Sequence, residues 1–102
     1  MPTTDPRRVA VTLVHSPACH FCDDAAEALA ELAKVHPLEV TTFALESPEG
    51  AALVARHRPA MNPLVLVDGE YFSAGRLPRK KLLRLLERRA QAASVSSQAG
   101  VN

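Results

Sequence analysis

The chain has two cysteines, and they stand two residues apart in Cys19-His20-Phe21-Cys22. Such a pair can close a structural bridge, hold a metal ion or exchange disulfides. As a staple it does little, because closing so short a loop removes only about 2 kcal/mol of unfolded-state entropy. As a zinc site it is short of ligands: His36 follows Cys22, but no second histidine comes after it at finger spacing. A zinc or copper site completed by another chain stays open as an alternative. Disulfide exchange needs one reachable thiolate to attack and a second thiol near enough to cleave the mixed disulfide, and this spacing supplies both.

The segments around the pair decide how it is presented. Val9-Ala-Val-Thr-Leu-Val-His15 is β-branched and almost continuously apolar, as expected of a central strand buried on both faces. Ser16-Pro17-Ala18 breaks it, and a helix is predicted from Cys19 to Val35, with Cys22, Ala25, Ala26, Leu29, Leu32 and Ala33 along one face. Pro37 stops that helix. A helix start carries unpaired N–H groups and the positive end of the macrodipole, both of which favour a thiolate. Cys19 is therefore expected at the mouth, exposed and activated, and Cys22 one turn in and shielded. His20 can add to the stabilisation of the thiolate, and Phe21 can cover the dithiol as an apolar contact. His15 ends the strand beside this mouth.

The rest of the chain reads as a second strand over Leu38–Leu45, a helix from Ser47-Pro48-Glu49 to about His57, and a hairpin of Leu64–Val67 and Glu70–Ser73 turned by Asp68-Gly69. A last helix is expected over residues 77–91, with Leu82, Leu83, Leu85 and Leu86 as its buried stripe. The order is β-α-β-α-β-β-α. A right-handed crossover makes the first two strands parallel, and the hairpin completes a four-stranded mixed sheet flanked by helices. Residues 8–91 make one domain, with 1–7 and 92–102 as flexible tails.

At 102 residues, with 47% apolar and 23% charged residues, the composition is that of an ordinary globular domain. Its core must be aliphatic, because the chain has no Trp and only 4% aromatic residues. The net charge of +1 excludes gross electrostatic binding of nucleic acid but hides an asymmetry. Residues 1–75 carry five Lys/Arg against ten Asp/Glu, while residues 76–89 carry seven Lys/Arg against Glu87 alone. Arg79, Lys80 and Lys81 fall in the first turns of the last helix, where the macrodipole disfavours cations. That basic edge suits an anionic partner. No stretch approaches the roughly 20 apolar residues of a membrane helix, and the opening residues do not read as a signal peptide. A reducing cytoplasm is the expected compartment, where a cysteine pair is more often catalytic than structural.

With Pro17-Ala-Cys-His-Phe-Cys22 at a strand-to-helix turn, Pro63 opening the third strand and Gly75 before the last helix, the chain resembles the glutaredoxin/thioredoxin superfamily over about residues 8–90. The resemblance implies a thioredoxin-like, glutaredoxin-type fold. It gives Cys19 the role of nucleophile and Cys22 that of resolving cysteine, and makes Pro63 a cis-proline that turns the backbone of Asn62 toward the sulfurs. The redox-active disulfide Cys19–Cys22 then serves in place of any separate cofactor.

Departures from the family pattern refine the expectation. Ser16 stands where glutaredoxins commonly have a Lys that binds the glutathione carboxylate, and Met61-Asn62 stand in place of Thr-Val. Gly75-Arg-Leu-Pro-Arg79 replaces an acidic pair. The thioredoxin Trp-Cys-Gly-Pro-Cys sequence is also absent, and Leu13 takes the place of its buried acid. The expectation is a cytoplasmic, monomeric dithiol–disulfide oxidoreductase that works without glutathione. It would reduce protein or small-molecule disulfides and be recharged by a reductase or a low-molecular-weight thiol. Arg76, Arg79 and Lys80 would form the docking edge. An adaptor with a vestigial dithiol is the rival outside redox and metal chemistry.

Overall fold

The computed structural model describes residues 8–101, with side chains through residue 92. Seven elements follow in order: β1 (Val9–His15), α1 (His20–Ala33), β2 (Leu38–Ala44), α2 (Pro48–His57), β3 (Leu64–Val67), β4 (Glu70–Ala74) and α3 (Arg79–Val101). The sheet order is β2-β1-β3-β4, with β1 parallel to β2 and the other pairs antiparallel. This is the expected β-α-β-α-β-β-α order with a four-stranded mixed sheet.

Helices lie on both faces, and the alternation along β1 decides which side chains meet which helix. Val9, Val11 and Leu13 face the larger core with Ala25, Ala28 and Leu29 of α1, Val65 and Val67 of β3, and Leu82 and Leu86 of α3. Val14 points the other way, with Leu64 and Leu66, and is covered by Leu53 and Val54 of α2. Each fully buried leucine or valine is worth about 1.5–3 kcal/mol relative to exposure. Burial of β1 on both faces holds only toward its C-terminal end, because Ala10 is exposed while Val14 is buried. The short helix α2 does not reach far enough to cover the beginning of the strand. β2 is one of the two edge strands, and its side chains are mostly exposed.

Local signals set the boundaries. Ser47 caps α2, its hydroxyl accepting from the Gly50 N–H at 3.0 Å while donating to the Ala44 carbonyl at 2.7 Å. Gly50 is needed for close approach, since a Cβ there would run into that same carbonyl. Asp68 and Gly69 both have positive φ, 52° and 83°, as a primed hairpin turn requires. α1 ends at Ala33 rather than Val35, because Val35 and His36 turn back to bond the Leu32 carbonyl. At the start of α3, the Leu82 N–H bonds the Pro78 carbonyl, so the helix opens at Arg79 rather than residue 77. It continues to Val101 instead of ending near 91, since the Ala- and Ser-rich segment contains no proline and no glycine before Gly100. The expected tail over residues 1–7 lies outside the described residues.

Candidate active site

β1 runs out of the core into the turn of Ser16, Pro17 and Ala18, and α1 begins immediately after. Cys19 is the N-cap of α1, with extended backbone angles (φ −118°, ψ 107°). Its sulfur occupies the place of the usual capping oxygen and accepts the Cys22 N–H at 3.1 Å. Negative charge on that sulfur would sit against an unpaired donor and the helix's positive end, an arrangement worth about 0.3–1 kcal/mol at an exposed site and up to ~2 kcal/mol when partly buried. Cys19 and Cys22 are joined as a disulfide, with their Cα atoms 5.1 Å apart. Cys22 is 4% exposed, packed one turn along the helix, while Cys19 is half-buried rather than fully exposed. The two sulfurs of the helix start thus differ in burial.

Ala18 holds the turn in a left-handed conformation, φ 52°, which a residue with a Cβ adopts at some cost. His20 and Phe21 are the first residues of α1. Both are exposed, Phe21 at 40%. Pro17 is exposed in the turn itself.

The loop before β3 forms the neighbouring wall. Asn62-Pro63 is a cis peptide bond, and Pro63 is fully buried. The Asn62 amide donates to the Ser16 hydroxyl at 3.4 Å, tying this loop to the one that carries the cysteines. Two positions singled out as departures from the glutaredoxin pattern therefore bond each other. Gly75, with φ 85°, donates its N–H to the Pro63 carbonyl at 2.9 Å. Met61 lies over Gly75 so closely that an added Cβ would come within 3.2 Å of its sulfur. Met61 is nonetheless 53% exposed and joins Phe21 as an apolar side chain open to solvent. Sequence reasoning noticed Met61 only as a family departure. Its place beside an obligatory glycine became visible once the chain was folded.

The basic edge is only partly as expected. Arg76, Arg79 and Lys80 line one open depression with Leu77, Pro78, Lys81 and Arg84. Arg79, however, is paired with Asp24 of α1 at 2.5 Å, and the Lys81 ammonium lies 5.3 Å from the centre of the Phe72 ring. The cations at the helix start are thus compensated in part, by a carboxylate and by an aromatic face. Among the described residues, Arg76 and Lys80 have neither kind of partner. None of these residues lines the cleft beside Cys22, which is formed instead by Leu13, His15, Ser16, Asp23, Ala26 and Thr42.

His36 lies beyond the C-terminal end of α1, a helix of fourteen residues that spans about 20 Å. It cannot reach the metal site that the cysteines would need, and among the described residues no group of three His, Cys, Asp or Glu side chains could hold an ion.

The chain is similar to the solution structure of a thioredoxin from Thermus thermophilus, with 21% sequence identity and a TM-score of 0.52, over 88% of this chain and 79% of that one. No family model and no curated protein matches it. The likeness establishes the architecture: the chain has a thioredoxin-like fold of the glutaredoxin-type element order, with a CxxC disulfide at the start of its first helix. No helix among the described residues is long and apolar enough to cross a membrane.

Proposed function

We propose that this chain is a dithiol–disulfide oxidoreductase that reduces disulfides in a reducing, cytoplasmic compartment without using glutathione. The observation that carries the reading is the asymmetry of the pair: the Cys19 sulfur caps α1 and receives the Cys22 N–H, while the Cys22 side chain is buried. In the reduced protein the Cys19 thiolate attacks one sulfur of a substrate disulfide. One substrate thiolate leaves, and Cys19 becomes part of a mixed disulfide. Cys22, as thiolate, then attacks the Cys19 sulfur and releases the second substrate thiolate. The substrate has gained two electrons, and the Cys19–Cys22 bond stores their loss until an upstream reductase or small thiol returns them.

Phe21 and Met61 give an apolar rim, and the loop of Asn62 and Pro63 offers backbone groups to an extended substrate segment. Arg76 and Lys80 supply positive charge that favours an acidic protein partner and disfavours the ammonium of glutathione. Arg79, held by Asp24, contributes less to this edge than the sequence alone suggested.

The test is reduction of insulin disulfides with a recycling reductant, together with Cys22→Ser as a trap. Wild-type protein should turn over, and the variant should stop as a mixed disulfide through Cys19. Absence of both reduction and trapping would reject the reading in favour of an adaptor or metal-binding role. Efficient turnover of glutathione mixed disulfides would reject the glutathione-independent part alone.

A further inference from the structure

We propose that His15 is the proton acceptor for Cys22 in the resolving step, acting through the cleft that the two share. The inference rests on the reading of Cys19 and Cys22 as an exchange pair.

The geometry follows from strand alternation. Val9, Val11 and Leu13 form a row on one face of β1, each about 1% exposed, and His15 is the next residue of that row. The row changes from aliphatic to imidazole where it reaches the start of α1. Thr42 pairs with Leu13 across the parallel β1–β2 ladder and so shares its face. Ala26 follows Cys22 by four residues and so lies on the same side of α1. These side chains and His15 line a cleft of about 240 Å³ against Cys22. His15 is half-buried, its carbonyl accepts the Leu45 N–H at 2.8 Å, and among the described residues its ring makes no hydrogen bond. The backbone is fixed and the imidazole is left free to take a proton.

A base is needed at this point in the cycle. Cys22 is 4% exposed, so its proton has little direct access to bulk solvent and needs an acceptor nearby. The charged or titratable groups facing the cleft besides Cys22 are His15 and Asp23. Of the two, His15 is half-buried and Asp23 exposed, and histidine is the side chain that most often serves as a general base. In the balanced step, the Cys22 S–H bond breaks and its proton passes to the imidazole, directly or through water in the cleft. The Cys22 sulfur then forms its bond to Cys19 as the Cys19–substrate bond breaks. The departing substrate thiolate takes a proton from solvent or from the imidazolium.

The experiment is a single turnover of the reduced protein with bis(2-hydroxyethyl) disulfide, acid-quenched and read by intact mass, which separates formation of the mixed disulfide from its loss. In His15→Gln, formation should stay within about twofold of wild type. Loss of the mixed disulfide at pH 7 should be at least tenfold slower, a modest share of the roughly 10²–10⁴-fold that general bases contribute. The deficit should shrink to about twofold by pH 9.5, where hydroxide ionises the thiol. In His15→Ala, imidazole added at about 50 mM should restore at least half of the lost rate, whereas Asp23→Asn should stay within about threefold. Wild type gives an independent reading: its resolving rate should reach a plateau before about pH 8. A rate that climbs about tenfold per pH unit through pH 8 overturns the proposal. So does a slowing in both His15 variants that is equal at every pH and insensitive to imidazole. A wild type that never forms the mixed disulfide instead rejects the exchange reading beneath it.

Discussion

The two ends of the sheet are held in different ways. At the end that carries the Asp68-Gly69 turn, the polar groups are closely matched. The Asp68 carboxylate accepts the Ala10 N–H at 3.1 Å and pairs with Arg89 at 2.5 Å, its own N–H bonds the Ala10 carbonyl at 2.7 Å, and Val9 bonds Pro37 at 2.9 Å. At the opposite end, where β1 delivers the chain to Cys19, backbone bonds hold Leu45 to His15 at 2.8 Å and Gly75 to Pro63 at 2.9 Å, but among the described residues the turn of Ser16, Pro17 and Ala18 is tied to the loop before β3 through one long side-chain bond, Asn62 to Ser16 at 3.4 Å. Ala18 is in a strained conformation there, and Phe21 and Met61 face solvent. The turn that leads to the cysteines is thus more loosely tied than the Asp68-Gly69 turn, and it lies at the C-terminal edge of the parallel strands, where α/β sheets commonly place their sites.

The sharpest way to break this contrast is Cys19→Ser. Disulfide reduction should fall by about a thousandfold or more, since the substituted hydroxyl has no comparable nucleophilicity at neutral pH. Unfolding of that variant and of reduced wild type in urea should agree within ~1 kcal/mol, because a serine oxygen also caps a helix. A large loss of stability would show that this end holds the fold as well.

Asp68→Ala tests the other end. It removes a charged acceptor from the Ala10 N–H and an ion pair to Arg89, and it puts alanine in a left-handed turn position. Destabilisation of about 2 kcal/mol is expected, mostly from the hydrogen bond, since the ion pair is partly exposed and contributes little. Activity per folded molecule should be unchanged. Reduced activity in the folded protein would mean that the two ends are coupled.

Smaller effects refine the contrast. Reversal of charge in Arg76→Glu with Lys80→Glu should slow reaction with an acidic protein disulfide several-fold at low salt. The deficit should fade as salt shortens the screening length below roughly 8–10 Å, while a small neutral disulfide reacts as before. Stopped-flow measurement over a salt series decides it. If the low-salt rate is unchanged, the start of α3 is only a solvated face. The smallest effect is Ala18→Gly, which relieves the left-handed strain and should raise stability by about 0.5 kcal/mol, once the greater freedom of unfolded glycine is offset. A melting curve of the oxidised protein measures it, and a decrease would place the strain elsewhere.

Much of the architecture was legible because it depends on residues a few positions apart. Apolar runs and helical spacing marked β1, α1 and α3. Ser47-Pro48 and Asp68-Gly69 named their own cap and turn, and the CxxC at a strand-to-helix junction placed one thiol at a helix mouth and the other inside. What stayed hidden depends on segments meeting across the chain. Asp24 reaches Arg79 from 55 positions away and answers part of the basic excess at α3; Asn62 reaches Ser16 from 46. Exposure of β2 could not be read from Leu38–Ala44, because the same pattern suits an edge or an interior strand until its neighbours are known. Nor could the surroundings of Cys22: which face of β1 meets α1, and where that row ends, is set by the register of the whole sheet. Local sequence therefore determined the presence of a cysteine pair at a helix start. Tertiary packing decided what stands beside it, because close contact between distant residues depends on how every intervening element is placed.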